Sequence, residues 1–124
     1  MMYQAAAYNT YAKNNVEIES PQKLIKMLYE GILRFNTQAK RAIKDDDIER
    51  RAYWINRSIA IFVELINNLD MKQGQVAEYL NALYQHQLSL LAKANLEKSE
   101  IYLDEVNSVT RGLLEAWKEV TDVE

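Results

Sequence analysis

The single histidine of the chain, His86, is the residue best suited to metal binding, general base catalysis or phosphoryl transfer. A di-iron helical bundle needs Glu-x-x-His pairs on two helices with further carboxylates facing inward, and the sequence contains no such pair. Residue order alone permits a Ser-His-Asp arrangement, but no nucleophile elbow or glycine-rich oxyanion turn accompanies His86. We therefore interpret His86 as a structural or exposed residue, and expect no metal, no cofactor and no enzymatic activity.

Histidine phosphotransfer domains offer an alternative, because they are also helical bundles of similar size with one reactive histidine on a helix face. Those domains have a basic residue and a small residue just after the histidine, whereas here QLSL follows His86. The chain also has no glycine-rich loop that could bind phosphate. Phosphoryl transfer at His86 is therefore the minor hypothesis.

Three tyrosines, Tyr3, Tyr8 and Tyr11, lie in the first eleven residues. Chain termini are usually polar and frayed unless something holds them, so these rings are expected to dock on the rest of the protein or to bind a partner. We treat residues 1–15 as an N-terminal arm or short extra helix. Residues 16–124 form the predicted single domain.

Composition excludes several classes of protein. The chain has 124 residues, which fits one domain, and no cysteine, so disulfides and thiolate metal sites are excluded. The net charge is −3 and the basic residues are interleaved with acids, so no nucleic acid partner is expected. No apolar run approaches the roughly 18 residues of a membrane span. These features predict a cytoplasmic protein without membrane insertion.

One proline and three glycines leave few helix breaks, and no alternating strand pattern occurs, so the predicted fold class is all-α. Helix one is expected to begin after Ser20, which can cap it, with Pro21 at the first helical position. The sequence DDD at 45–47 separates it from helix two, for which Asp46 is the predicted N-cap. Gly74 precedes helix three, and helix four is expected from about Ser99. Short connections between long helices predict an antiparallel up-down four-helix bundle.

Apolar residues recur at spacings of three and four along each helix, as in a bundle core. The predicted core row of helix two is Ile48, Ala52, Ile55, Ile59, Phe62, Ile66 and Leu69, and that of helix four is Tyr102, Val106, Val109, Leu113, Trp117 and Val120. Several helices carry a second apolar row beside the first, such as Ile25, Tyr29 and Leu33 on helix one and Trp54, Ile61 and Leu65 on helix two. Such rows can simply pack a thick bundle, or part of them can form an exposed groove for an amphipathic helix or extended peptide.

Four segments in order resemble a known family almost end to end. They are YNTYAKN, SPQKLIKMLYEGILRF, LDMKQGQVAEYLNALYQHQLSLLAKAN and EVNSVTRGLLEAWKEV. Together they resemble the flagellin-specific export chaperones of the FliS type. One departure is Gln73 before Gly74, where many members have paired glycines.

The resemblance implies a cytosolic, non-enzymatic chaperone that binds the disordered C-terminal segment of flagellin, prevents its premature polymerisation and escorts it to the flagellar type III export apparatus. The flagellar export gate is the expected second partner, and a co-chaperone or regulatory protein is a further candidate. In this family the N-terminal arm covers a hydrophobic surface that the client later occupies. The expected flagellin-binding residues are Tyr8, Tyr11, Ile25, Tyr29, Leu65, Tyr79, Leu83 and Leu90. A generic helical adaptor for an amphipathic helix of another partner is the alternative hypothesis.

Overall fold

A computed structural model describes residues 20–122 and contains four long helices. They are α1 (Pro21–Lys44), α2 (Ile48–Asn67), α3 (Gln75–Glu97) and α4 (Glu100–Thr121), with a short 3-10 helix, Met71–Gln73, between α2 and α3. No strand occurs in this part of the chain, which confirms the predicted all-α class. The predicted arm, residues 1–15, lies outside the described residues.

Each helix packs against two neighbours, so the four helices form a closed ring in chain order. Helix α1 contacts α2 and α4, and α3 contacts the same two helices. Lys40, near the end of α1, pairs with Asp104 near the start of α4 at 2.6 Å, so these helices are antiparallel. Arg51 at the start of α2 likewise donates to Asn95 near the end of α3. The predicted antiparallel four-helix bundle is confirmed.

The helix ends follow the predicted capping pattern with one correction. The backbone N–H of Lys23 donates to Ser20 Oγ at 3.1 Å, as expected for the cap of α1. The prediction of Asp46 as the N-cap of α2 is wrong, because Asp47 accepts the cap hydrogen bond from the backbone N–H of Arg50. Asp46 instead has a left-handed backbone, with φ of 52°, which reverses the chain between the helices.

The buried core differs in part from the predicted rows. Ile55 and Phe62 of α2 are fully buried as predicted, but Ile48 is 57% exposed, and Ile61 from the second row is in the core. In α4 the buried residues are Leu103, Val106, Asn107, Thr110 and Leu114. Of the predicted α4 row, only Val106 is fully buried; Tyr102, Leu113 and Trp117 are half-buried and pack against the core, and Val120 is exposed. The predicted row is the more apolar of the two, since the buried row includes Asn107 and Thr110; contact with the neighbouring helices therefore decides which row faces inward.

A buried polar cluster joins three helices in the middle of the bundle. The side-chain amide of Asn36 in α1 donates to Asn107 Oδ1 in α4 at 2.9 Å, and the Ser58 hydroxyl in α2 donates to Asn36 Oδ1 at 2.5 Å. All three side chains are almost completely buried. A shift of one helix along another would leave these groups without partners inside an apolar core, which is costly. The cluster therefore favours one register and one rotation of α1, α2 and α4.

We expect Phe62→Ala to lower the free energy of unfolding by about 3–5 kcal/mol, because a fully buried ring is lost and a cavity remains. The measurement is urea unfolding followed by circular dichroism. The next residue, Val63, is 40% exposed, and Val63→Ala is the matched control, with an expected cost below about 1 kcal/mol. Equal costs at both positions would contradict the assignment of Phe62 to the core.

Candidate functional site

An apolar cavity opens at the end of the bundle where α1 begins and α4 ends. We call it the end cavity; its volume is about 250 Å³. All four helices line it, and the lining residues are Ile25, Tyr29, Leu65, Leu69, Val76, Leu80, Tyr84, Leu113, Ala116, Trp117 and Val120. Apart from the polar tips of its aromatic residues, the lining is aliphatic or aromatic. The end cavity is therefore suited to apolar side chains.

The hydroxyls of Tyr29 and Tyr84 meet inside the bundle, and both residues form part of the wall of the end cavity. The Oη atoms of Tyr29 in α1 and Tyr84 in α3 are 2.7 Å apart, and one hydroxyl donates to the other. Both side chains are buried, and the ring of Tyr84 packs against Phe62 with centroids 5.9 Å apart. The hydrogen bond thus links the cavity wall directly to the core across diagonally opposite helices.

Trp117 closes one side of the cavity. Its indole Nε1–H donates to the backbone carbonyl of Gln22 at 2.8 Å, which ties the end of α4 to the first turn of α1. Two aliphatic residues at the mouth, Val76 and Val120, are 66% and 82% exposed. Exposed aliphatic side chains beside an apolar cavity increase the surface that an apolar partner can bury.

The structure brings together some of the predicted binding residues and separates others. Ile25, Tyr29 and Leu65 all line the end cavity. Leu90 is buried in the core, whereas Tyr79 is 66% exposed on the outside of α3. Leu83 is half-buried, and none of these three lines the cavity. Tyr8 and Tyr11 lie outside the described residues.

The sequence interpretation missed several cavity residues because it assigned them to the core. Leu113, Trp117 and Val120 were predicted to form the core row of α4, but they line the cavity beside it. The signal was present in the sequence, since Leu113 and Leu114 belong to two adjacent rows and only one of these rows can face the centre of a four-helix ring. Recognising both rows on α4 would have identified this side of the cavity.

The described residues that line the end cavity include no histidine and no charged side chain. His86 is exposed on α3 and does not line the end cavity. Within residues 20–122, no group of three His, Asp or Glu side chains is arranged to hold a metal ion. None of the four helices is both long and apolar enough to cross a bilayer.

Comparison with known proteins identifies the family of this chain. The family model described as flagellar protein FliS matches residues 3–124. The chain belongs to the FliS family. It is 59% identical over 115 residues to the flagellar secretion chaperone FliS of Campylobacter jejuni, covering 92% of this chain and 90% of that protein. It is 30% identical over 117 residues to the chaperone of the same name from Bacillus subtilis, covering 94% and 87% of the two chains.

A more distant relative, the flagellar secretion chaperone FliS of Salmonella typhimurium, is 29% identical over 126 residues, with coverage of 97% of this chain and 93% of that protein. Because the matches cover nearly the full length of both proteins, the FliS resemblance inferred from the sequence motifs is confirmed. All these relatives are named as secretion chaperones, and no catalytic activity is indicated by their names.

We expect the Tyr29 and Tyr84 hydroxyls to be energetically coupled. Tyr29→Phe and Tyr84→Phe should each cost about 1 kcal/mol of unfolding free energy, and the double variant should cost less than their sum by at least about 0.5 kcal/mol, because both changes break the same hydrogen bond. Urea unfolding of the four proteins measures this cycle.

The exposed Tyr79 provides the control for this cycle: Tyr79→Phe should change stability by less than about 0.5 kcal/mol. Strict additivity of the Tyr29 and Tyr84 changes would show that the hydroxyl contact contributes nothing to stability.

Proposed function

We propose that this protein is a cytosolic export chaperone that binds the disordered C-terminal segment of flagellin, prevents premature polymerisation and escorts the subunit to the flagellar type III export apparatus. The observation that carries the proposal is an apolar end cavity lined by all four helices in a member of the FliS family. A segment that assembles through an apolar face must have that face covered before export, and a cavity of this character can cover it.

The size of the end cavity supports a peptide anchor more than a small-molecule ligand. Its volume of about 250 Å³ is below the roughly 300–1,000 Å³ of small-molecule pockets. Apolar side chains of the flagellin segment enter the cavity, while the rest of the segment lies on the exposed apolar surface around it. Tyr79 and Leu83, on the outer side of α3, are the predicted contacts beyond the cavity.

The position of Ser20 supports a role for the N-terminal arm at the same place. Ser20 caps α1 beside Gln22, whose carbonyl accepts the Trp117 hydrogen bond at the cavity. Tyr11 lies nine positions before Ser20 in the sequence, and an extended chain of that length reaches up to about 30 Å. The proposed arm therefore covers the cavity when no flagellin is bound, and its tyrosines contact the client when flagellin is bound.

Release requires no nucleotide in this proposal. Folding a disordered segment upon binding consumes several kcal/mol of the gross interaction energy, so the complex is specific but reversible. Contact with the export gate then competes for the client or for the arm. A co-chaperone or regulatory protein would use surface that the flagellin segment leaves free.

A generic adaptor for an amphipathic helix of a different protein is the second hypothesis, and client identity separates the two. We expect purified flagellin to bind 1:1 in calorimetric titration and flagellin without its C-terminal segment not to bind. Raising the salt concentration should weaken binding little, because the contact is mainly apolar. Equal binding of truncated flagellin would reject the proposal.

Variants of two leucines test whether the end cavity is the binding site. Leu80 lines the cavity, so Leu80→Asp should weaken flagellin binding by about tenfold or more, because a carboxylate in an apolar site must lose its hydration. Leu96 is 84% exposed near the opposite end of α3. Leu96→Asp should leave the affinity unchanged; equal effects would place the site elsewhere. The melting temperature of each variant is measured first, to check that the variant is folded.

Replacing the arm tyrosines tests their contact with the client. We expect Tyr8→Ala and Tyr11→Ala each to weaken binding of the C-terminal flagellin peptide roughly 30-fold, the loss typical of a buried aromatic anchor. Thr10→Ala removes no ring from the same segment and is the control. Tighter binding by the tyrosine variants would mean that the arm only competes with the client. Unchanged affinity would mean that the arm neither contacts the client nor competes with it.

A further inference from the structure

A second groove lies on the outer surface between α1 and α2, and it shares no lining residue with the end cavity. Its volume is about 450 Å³. We call it the α1–α2 groove. The floor is apolar and includes Leu24, Leu28 and Ile61, while Met27 on its edge is 41% exposed. The groove runs from Leu24 to Phe35, which is about 16 Å or three helical turns along α1.

Gly31 allows close packing of α1 against α2 at the centre of this groove. It lies in the middle of α1, where glycine costs about 1 kcal/mol relative to alanine. A Cβ atom added at this position would be 3.1 Å from Ile61 Cδ1, which is tighter than ordinary van der Waals contact. Glycine therefore lets α1 and α2 pack closely here, with the Ile61 side chain against the backbone of α1.

Two arginines face one aromatic ring at one end of the groove. The guanidinium carbon of Arg57 is 4.7 Å from the centroid of Phe35, and that of Arg34 is 5.4 Å from it. Arg57 also donates to the Tyr53 hydroxyl at 3.1 Å, which holds its guanidinium in place. Neither arginine forms an ion pair with any carboxylate of residues 20–122.

This pairing pattern sets the two arginines apart from many other cations of the chain. Lys26, Lys40, Lys44, Arg50 and Lys118 all have acidic partners on the surface. Two like charges held against one ring repel each other. A carboxylate placed between the guanidiniums would relieve that repulsion and could accept hydrogen bonds from both.

The opposite end of the groove has the opposite charge. Glu64 lines it there, near Leu24 and Met27, and has no cationic partner among the described residues. An α-helix has a partial negative charge at its C-terminus and a partial positive charge at its N-terminus. The charges of the groove therefore favour a bound helix whose C-terminal end lies at Arg34 and Arg57 and whose N-terminal end lies at Glu64.

We infer that the α1–α2 groove is a second docking surface, which binds an amphipathic helix of a partner protein through an apolar face and acidic residues in its last turn. The apolar face covers Met27, Gly31 and Ile61. The acidic residues pair with Arg34 and Arg57. This surface is separate from the proposed flagellin site, so both partners can be bound at the same time.

Two synthetic helical peptides of about three turns test the inference. Both have leucines at i, i+3, i+4 and i+7 and an amidated C-terminus; one has two glutamates in its last turn, and the other has glutamines in their place. Fluorescence anisotropy measures binding to the full-length protein. We expect the glutamate peptide to bind about fivefold or more tightly than the glutamine peptide, with the difference lost near 1 M salt.

Matched charge variants locate the binding site. The double variant Arg34→Gln/Arg57→Gln should lower the affinity for the glutamate peptide to that for the glutamine peptide. Arg41→Gln/Arg111→Gln removes the same charge from exposed positions that do not line this groove and should have no effect. Equal affinities for the two peptides, no saturable binding by either, or loss of affinity in both double variants would each overturn the inference.

Competition with the C-terminal flagellin peptide checks that the two sites are independent. We expect saturating flagellin peptide to leave the anisotropy of the bound glutamate peptide unchanged. Displacement would show that the groove is part of the flagellin surface and would overturn the claim of a separate partner. Because the probe peptides contain no flagellin sequence, failure of this inference is distinguishable from failure of the proposed flagellin binding.

Discussion

The hydrogen bonds of Asn36 are the constraint on which the arrangement of the helices depends. Asn36 accepts from Ser58 and donates to Asn107, so a single buried side chain contacts α2 and α4 at once. Apolar contacts between helices tolerate small rotations, because one leucine replaces another at little cost. Buried polar groups do not, since each lost partner leaves a desolvated donor or acceptor. The polar cluster therefore selects one rotation from several that the apolar rows would permit.

The rotation of α4 shows the consequence for function. With Asn107 facing the centre, Val106, Thr110 and Leu114 are buried. The adjacent row then faces the gap beside α1, where Leu113 and Trp117 line the end cavity. Rotation of α4 to bury Trp117 in the core would fill the cavity and remove Asn107 from Asn36. The polar cluster in the middle of the bundle and the apolar cavity at its end are thus two results of the same helix orientation.

The two surface features differ in the interaction that each can offer. The end cavity has an apolar lining with hydroxyl and indole groups, whereas the α1–α2 groove combines an apolar floor with a carboxylate and two guanidiniums that have no acidic partner within residues 20–122. Apolar burial supplies affinity with little dependence on salt, and charges at the edge of a groove supply orientation and selectivity. On our proposals, one small bundle distinguishes two partners by chemistry as well as by position.

The sequence by itself determined the fold class, the helices, most of their ends and the family. Spacings of three and four, the Ser20 cap and the scarcity of glycine and proline depend on local backbone preferences, which neighbouring residues decide. The position of Gly74 was likewise predictable, because its φ of 68° suits glycine best. Ile25 and Tyr29 of α1 and Leu65 of α2 belong to the second apolar rows that the sequence showed, and they line the end cavity.

What only the tertiary structure decided is which of two adjacent rows on a helix is buried. That choice depends on contacts between residues far apart in the chain, such as Asn36 with Asn107, and no local pattern encodes it. Leu90 was assigned to the groove and Trp117 to the core for this reason, since periodicity identifies an apolar face but not the helix that it meets.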